Sequence, residues 1–172
     1  LGNYDGFGVG WSQATDTYSF SSLGYNNIYR ATVNPPDDAT KWTAFITGLT
    51  TPRDASNYFL VTPIIAAPPG ADPTGTLFYT YANTNNRRVF RTVNGGNWTQ
   101  AIRLSAGATV RPVSHGIGIH PTDANRVATA SEGGIVNIST NALGAVTARN
   151  LNTLVPASGG RTWQGFNSSV TW

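Results

Sequence analysis

Eight acidic side chains are the first residues of this chain able to do chemistry: Asp5, Asp16, Asp37, Asp38, Asp54, Asp72, Asp123 and Glu132. Hydrolysis of a glycosidic bond needs two carboxylates, one as acid and one as nucleophile or base. Asp37, Asp38, Asp72 and Asp123 fall in Pro-rich turns, where a short carboxylate tends to bond the backbone of its own loop. Glu132 sits in the hairpin turn Ser131-Glu132-Gly133-Gly134. Asp5, in Asn3-Tyr4-Asp5-Gly6-Phe7-Gly8, and Asp54, in Pro52-Arg53-Asp54-Ala55, are left as the catalytic candidates. A single Asp without acidic neighbours is a poor cage for a hard cation, so no metal is expected. His115 and His120, five positions apart, face opposite sides of a shared strand and cannot chelate together from it. The chain has no cysteine, which removes thiol catalysis and disulfides. No Gly-x-Ser-x-Gly elbow, phosphate loop or dinucleotide fingerprint occurs, so no cofactor is expected.

Aromatic rings are the second chemical resource, because exposed Trp and Tyr stack on sugars and anchor interfaces. Trp42, Trp98 and Trp163 recur at corresponding places along the chain, which marks them as packing residues. Trp11, Tyr25 and Tyr58 break that recurrence and are the ligand-binding candidates. Residues 81–88, Tyr-Ala-Asn-Thr-Asn-Asn-Arg-Arg, read as a polar hairpin tip open to a partner. Asn97, Asn137 and Asn167 stand in Asn-x-Ser/Thr sequons, which carry sugar only in a glycosylating secretory pathway.

These residues must be held by elements, and composition says what kind. Charged residues make up only 11% of the 172, about half the usual share. Helices normally solvate one face with long charged side chains, so the scarcity argues against a helical protein. Eleven Lys and Arg against eight acids give a net charge of +3. The basic residues are scattered, and only Arg87, Arg88 and Arg91 cluster. A nucleic-acid surface needs a concentrated patch, so that partner is not expected. No apolar run reaches the roughly 20 residues of a helical membrane span. The chain begins at Leu1 and contains no Met, and it reads as a piece of something longer.

Short β-branched and aromatic runs, punctuated by Gly, Pro and Asn, predict strands at 17–21, 27–33, 41–46, 59–66, 76–82, 88–93, 97–103, 113–119, 126–130, 134–139 and 145–150, with pieces in 161–172. Leu143 to Leu151 carries a faint helical period, weakened by Gly144, Val146, Thr147 and Asn150. The clearest unit is Val89-Phe90-Arg91-Thr92-Val93-Asn94-Gly95-Gly96-Asn97-Trp98-Thr99, a strand, an Asn-Gly-Gly turn and a second strand. Asn-Gly is the strongest short hairpin signal, since both residues tolerate positive φ. Thr92, Asn94, Gly95, Gly96 and Trp98 are its structural residues: hydroxyl and amide can bond the turn's backbone, and the indole can cap it. Looser copies flank it. Ile28-Tyr29-Arg30, Val89-Phe90-Arg91 and Val136-Asn137-Ile138 match one another, as do Val61 to Ala66 and His115 to His120. Short strands in units of about 45–60 residues fit the four-stranded blade of a β-propeller.

Two segments carry a family resemblance: "HPTDANRVATASEGGIVNIST" and "VFRTVNGGNWT" with its trailing Trp. With Gly159-Gly160-Arg161-Thr162-Trp163 they make the chain resemble the Asp-box (BNR) repeat β-propellers of sialidases, xyloglucanase-type hydrolases and sortilin-like receptors. The family's central Asp is Asn94 here, and the box is one residue short between Gly96 and Trp98. That box is structural and marks a fold without naming a reaction. The resemblance implies an extracellular or cell-envelope protein, with carbohydrate as a possible ligand.

The expectation is therefore an all-β chain of about three propeller-type blades, with a β-sandwich as the alternative. The blades are placed at 17–50, 58–103 and 113–151, with 161–172 starting another. The expected role is a binding or structural module within a larger protein or assembly. Its partners would be other blades of a parent chain or neighbouring copies. The alternative role is a fragment of a carbohydrate-active hydrolase.

Overall fold

The structure, a computed structural model, describes residues 6–15, 18–23, 27–32, 39–49, 63–81, 88–104, 116–131, 135–147 and 149–150. Among them every regular element is a strand except one 3₁₀ turn at Ala39–Lys41. The first sheet runs β1 (Gly6–Trp11), β2 (Ser19–Leu23), β3 (Asn27–Ala31) and β4 (Thr43–Ala44) in chain order, all antiparallel. The second repeats this with β5 (Ile64–Ala66), β6 (Phe78–Tyr81), β7 (Arg88–Thr92) and β8 (Thr99–Arg103). The third is β9 (Ile117–His120), β10 (Asp123–Ser131), β11 (Ile135–Ser139) and, after β12 (Val146–Thr147), β13 (Arg149–Asn150). Each is a meander of four antiparallel strands, which is the blade of a propeller. Among the described residues the chain is all-β, an incomplete propeller of three such sheets.

Two departures from the sequence reading have local causes. β1 lies outside the strands that composition marks, because Gly6, Gly8 and Gly10 alternate with its large residues and glycine weakens any strand signal. The described residues from Leu143 to Thr147 are not helical. Its β12 leaves the third sheet to lie parallel against β8, with Val146 opposite Ile102, before β13 returns to pair β11.

The register makes the repeats explicit. Gly10 pairs Phe20, which pairs Arg30; Ile65 pairs Tyr79, which pairs Arg91; Gly118 pairs Ala128, which pairs Ile138. Tyr29, Phe90 and Val136 all lie on the third strand of their sheets. Because side chains alternate across a strand, the second sheet turns one face toward the first sheet and the other toward the third.

Two cores fill the spaces between sheets. Phe20 and Ile28 of the first sheet meet Ile64, Ala66, Phe78, Phe90 and Trp98 of the second, with Leu49 beside them. Phe20 and Phe78 sit 4.5 Å apart at a tilt. On the other side of the second sheet, Tyr79, Tyr81, Val89 and Ile102 meet Ile117, Ile119 and Val127 of the third. Three sheets stacked in succession have two interfaces, where a sandwich of two layers would have one.

Candidate functional site

The Asn-Gly turn forms as its residues dictate. Asn94 and Gly95 have φ of 53° and 66°, the pair of positive values that a strand-matching hairpin turn demands. The Gly96 N–H donates to the Val93 carbonyl at 3.0 Å, and the Thr92 hydroxyl donates to the Gly96 carbonyl at 2.5 Å. The Asn94 side chain reaches outside its own turn and accepts from the Thr76 hydroxyl at 2.9 Å. Trp98 is turned into the core between the first and second sheets. Its indole N–H donates to the Phe45 carbonyl at 2.8 Å, and its ring lies 5.8 Å edge-on from Phe45.

A second device recurs beside this turn. Arg30 on β3 donates to the Gly95 carbonyl at 2.8 Å, so the third strand of one sheet grips the third-to-fourth-strand turn of the next. Arg91 on β7 occupies the same register and donates to the Ala142 and Gly144 carbonyls at 2.9 and 3.1 Å. The Arg30 guanidinium also lies 4.2 Å over the Phe45 ring, which holds the charge against an aromatic face. Neither arginine carries a clamp signal in the sequence, although both sit in the matched strands Ile28-Tyr29-Arg30 and Val89-Phe90-Arg91. The phenols of Tyr79 and Tyr81 cross the other interface to the carbonyls of Ala124 and Gly116. Burial raises both phenols far above the ordinary tyrosine range, so they remain protonated donors.

The described carboxylates are Asp72 and Asp123, and both are engaged by loops. Asp72 is buried and accepts from the backbone N–H groups of Thr74, Thr76 and Leu77 at 3.1, 2.7 and 2.7 Å and from the Thr74 hydroxyl at 2.5 Å. Burial pushes its pKa up, but these four donors outweigh burial and hold it below the ordinary 3.8. A carboxyl depressed in the fold contributes stability above its unfolded pKa and loses it as pH falls through the folded value. Replacing it, Asp72→Asn sets an amide group against two N–H donors and should cost about 2–3 kcal/mol at neutral pH. Urea titrations from neutral pH down past pH 3.8 should show a shallower acid loss in the variant than in the parent. Asp123 accepts from the Asn125 N–H at 3.0 Å and pairs with exposed Arg126 at 3.2 Å.

Trp11 is open to solvent on β1 and has Val9 beside it on the same face. Val9 carries no chemical signal in the sequence beyond its alternation with glycine. Asp5, Asp54, Tyr25 and Tyr58 lie outside the described residues, as do Asp16, Asp37, Asp38, Glu132, His115, Trp163 and Asn167. His120 is half-buried, and its ring Nδ1 faces the Thr122 N–H at 3.3 Å. No three His, Asp or Glu side chains converge as metal ligands among the described residues. No described helix is long and apolar enough to cross a membrane. Of the sequon asparagines, Asn97 is exposed, while Asn137 is buried within β11 and closed to modification in the fold.

No protein-family model and no curated protein sequence matches the chain. Among solved structures, the chain is similar to the GH74 enzyme of Niastella koreensis. Sequence identity is 17%, the TM-score is 0.48, and the likeness covers 84% of this chain. The chain matches 17% of that enzyme's length.

Proposed function

We propose that the chain is an extracellular or cell-envelope β-propeller module of the Asp-box type, with a binding or structural role inside a larger assembly. One observation carries this reading. The largest exposed apolar side chains on a sheet face, Val9 and Trp11, lie together on the outer face of the first sheet, where a contact surface and not a solvated surface is expected. The turn from Thr92 to Trp98 supports the Asp-box affinity, with Asn94 in the place of the family's aspartate. Asp72 and Asp123, taken up by their own loops, supply no free carboxylate pair.

The competing reading is a piece of a carbohydrate-active hydrolase, which requires two carboxylates about 5–10 Å apart across a cleft. The two readings separate in one assay. The purified chain, incubated with soluble β-glucans, should release no reducing ends. Release that disappears in Asp5→Asn or Asp54→Asn would replace the module reading with the hydrolase.

A further inference from the structure

Three of the described arginine side chains have their donors engaged. Arg30 and Arg91 reach carbonyls of the next sheet, and Arg126 pairs with Asp123. Arg88 and Arg103 do neither. Among the described residues no carboxylate or carbonyl accepts from them, and the Arg88 Nε is buried without a hydrogen-bond partner. Yet the two are direct cross-strand partners, Arg88 at the start of β7 and Arg103 at the end of β8. Opposed residues of an antiparallel pair have Cβ atoms about 4.5–5.5 Å apart, and like charges placed so destabilise a sheet.

Neither arginine can relieve the repulsion by losing its proton, because a guanidinium stays charged in a protein. The described carboxylates do not balance them either. Asp72 is enclosed by its own loop, and Asp123 stands on the third sheet beside Arg126. Alternation along β7 puts Arg88 on the face of Phe90, which packs against the first sheet. Ile102 packs on the opposite face, so Arg103 shares the face of Arg88. Arg88 is half-buried and Arg103 exposed. Packing thus steadies the stem of the first, while the second is open to solvent.

We propose that Arg88 and Arg103 together bind a tetrahedral oxyanion, sulfate or phosphate, free or as an ester on a sugar chain. Each guanidinium presents a planar fork of N–H donors that takes two oxygens at once. A carboxylate has two oxygens and satisfies one fork. A sulfate or phosphate group has at least three and engages both arginines. Its negative charge converts the cross-strand repulsion into affinity. The site lies on the second sheet and draws on neither Val9 nor Trp11, so it goes beyond the module reading without resting on it.

Thermal unfolding of the full 172-residue chain in rising sodium sulfate, against sodium chloride at matched ionic strength, tests it. Sulfate stabilises folds generally by exclusion from their surface, so the site is read as the increment that variants lose. The parent should show an increment that saturates, and calorimetric titration should find a single sulfate bound. Arg88→Gln and Arg103→Gln should each weaken sulfate binding about tenfold or more. In low salt without sulfate both should melt at or above the parent temperature, whereas loss of a purely structural arginine would lower it. Arg88→Lys keeps the charge, loses the fork and should also bind more weakly than the parent. Arg126→Gln removes an equal charge elsewhere and should bind as the parent does. Dextran sulfate beside unsulfated dextran separates the sources. Binding that needs the sulfate groups and is lost in Arg88→Gln assigns an ester, and a response to inorganic sulfate alone assigns the free ion. The inference is overturned by a parent that gains no more from sulfate than the glutamine variants do, or by an equal loss in Arg126→Gln. Glutamine variants that melt below the parent before sulfate is added overturn it as well. Release of reducing ends from β-glucan would remove the module reading and leave this site standing.

Discussion

Trp98→Ala should cost about 3–5 kcal/mol, the range for deleting a fully buried tryptophan, and the loss should appear as a lower urea midpoint. Trp98 is buried among Phe20, Phe45 and the second sheet, with ring centres 6.0 Å from Phe20 and 5.8 Å from Phe45. Its removal opens the space between two sheets and orphans the Phe45 carbonyl, which accepts the indole N–H. The total stability of a domain this size is about 5–15 kcal/mol, so the variant should be partly unfolded on mild warming. Trp98→Phe separates the two contributions. It keeps most of the ring, loses the hydrogen bond, and should cost about 1–3 kcal/mol. If Trp98→Ala melts with the parent, the indole does not join the sheets, and the packing between them lies elsewhere.

Gly48→Ala should be as damaging, about 3–5 kcal/mol by the same titration, although only a methyl group is added. Gly48 has a φ of 93°, a conformation that costs a side-chain-bearing residue. A Cβ there would also collide with the Trp98 carbonyl oxygen, which is main chain and cannot rotate away. The neighbouring Thr47 carbonyl accepts the Trp98 N–H at 2.9 Å, so any displacement also strains that bond. Gly96→Ala is the control. Gly96 is exposed, its φ is not positive, and its nearest contact is 3.2 Å from the Val93 carbonyl. It should cost about 1 kcal/mol or less. Equal losses in the two variants would show that glycine at large, and not the approach to Trp98, governs this region.

The sequence makes the repeat legible because β-branched and aromatic runs broken by Gly and Asn leave few alternatives to short antiparallel strands. The strands around Tyr29, Phe90 and Val136 fall where the alignment of residues puts them. β1 escapes notice because half its residues are glycine, and its strand character comes from pairing with Ser19 to Leu23. The clamps escape for another reason: an arginine in a strand reads as solvated until the turn that it reaches is known. Trp98 shows the same limit. Its place after the turn is readable, but which sheet it packs against depends on contacts some 50 positions away, at Phe45. Trp11 stands out as an aromatic that breaks the recurrence. The meaning of its position needs the register, which equates it with Ala66 and Ile119.

The parallel pairing of β12 with β8 reaches beyond local geometry. The outermost strand of a meander carries a row of unpaired N–H and C=O groups, a standing invitation to aggregation. Here the end of that row on β8, at Ile102 and Arg103, is covered by polypeptide borrowed from the neighbouring sheet, at Val146 and Thr147. Excision of one repeat would therefore strip its neighbour's selvedge as well. Solubility in such a protein belongs to adjoining pairs of repeats, and any shortening of the array must respect that overlap.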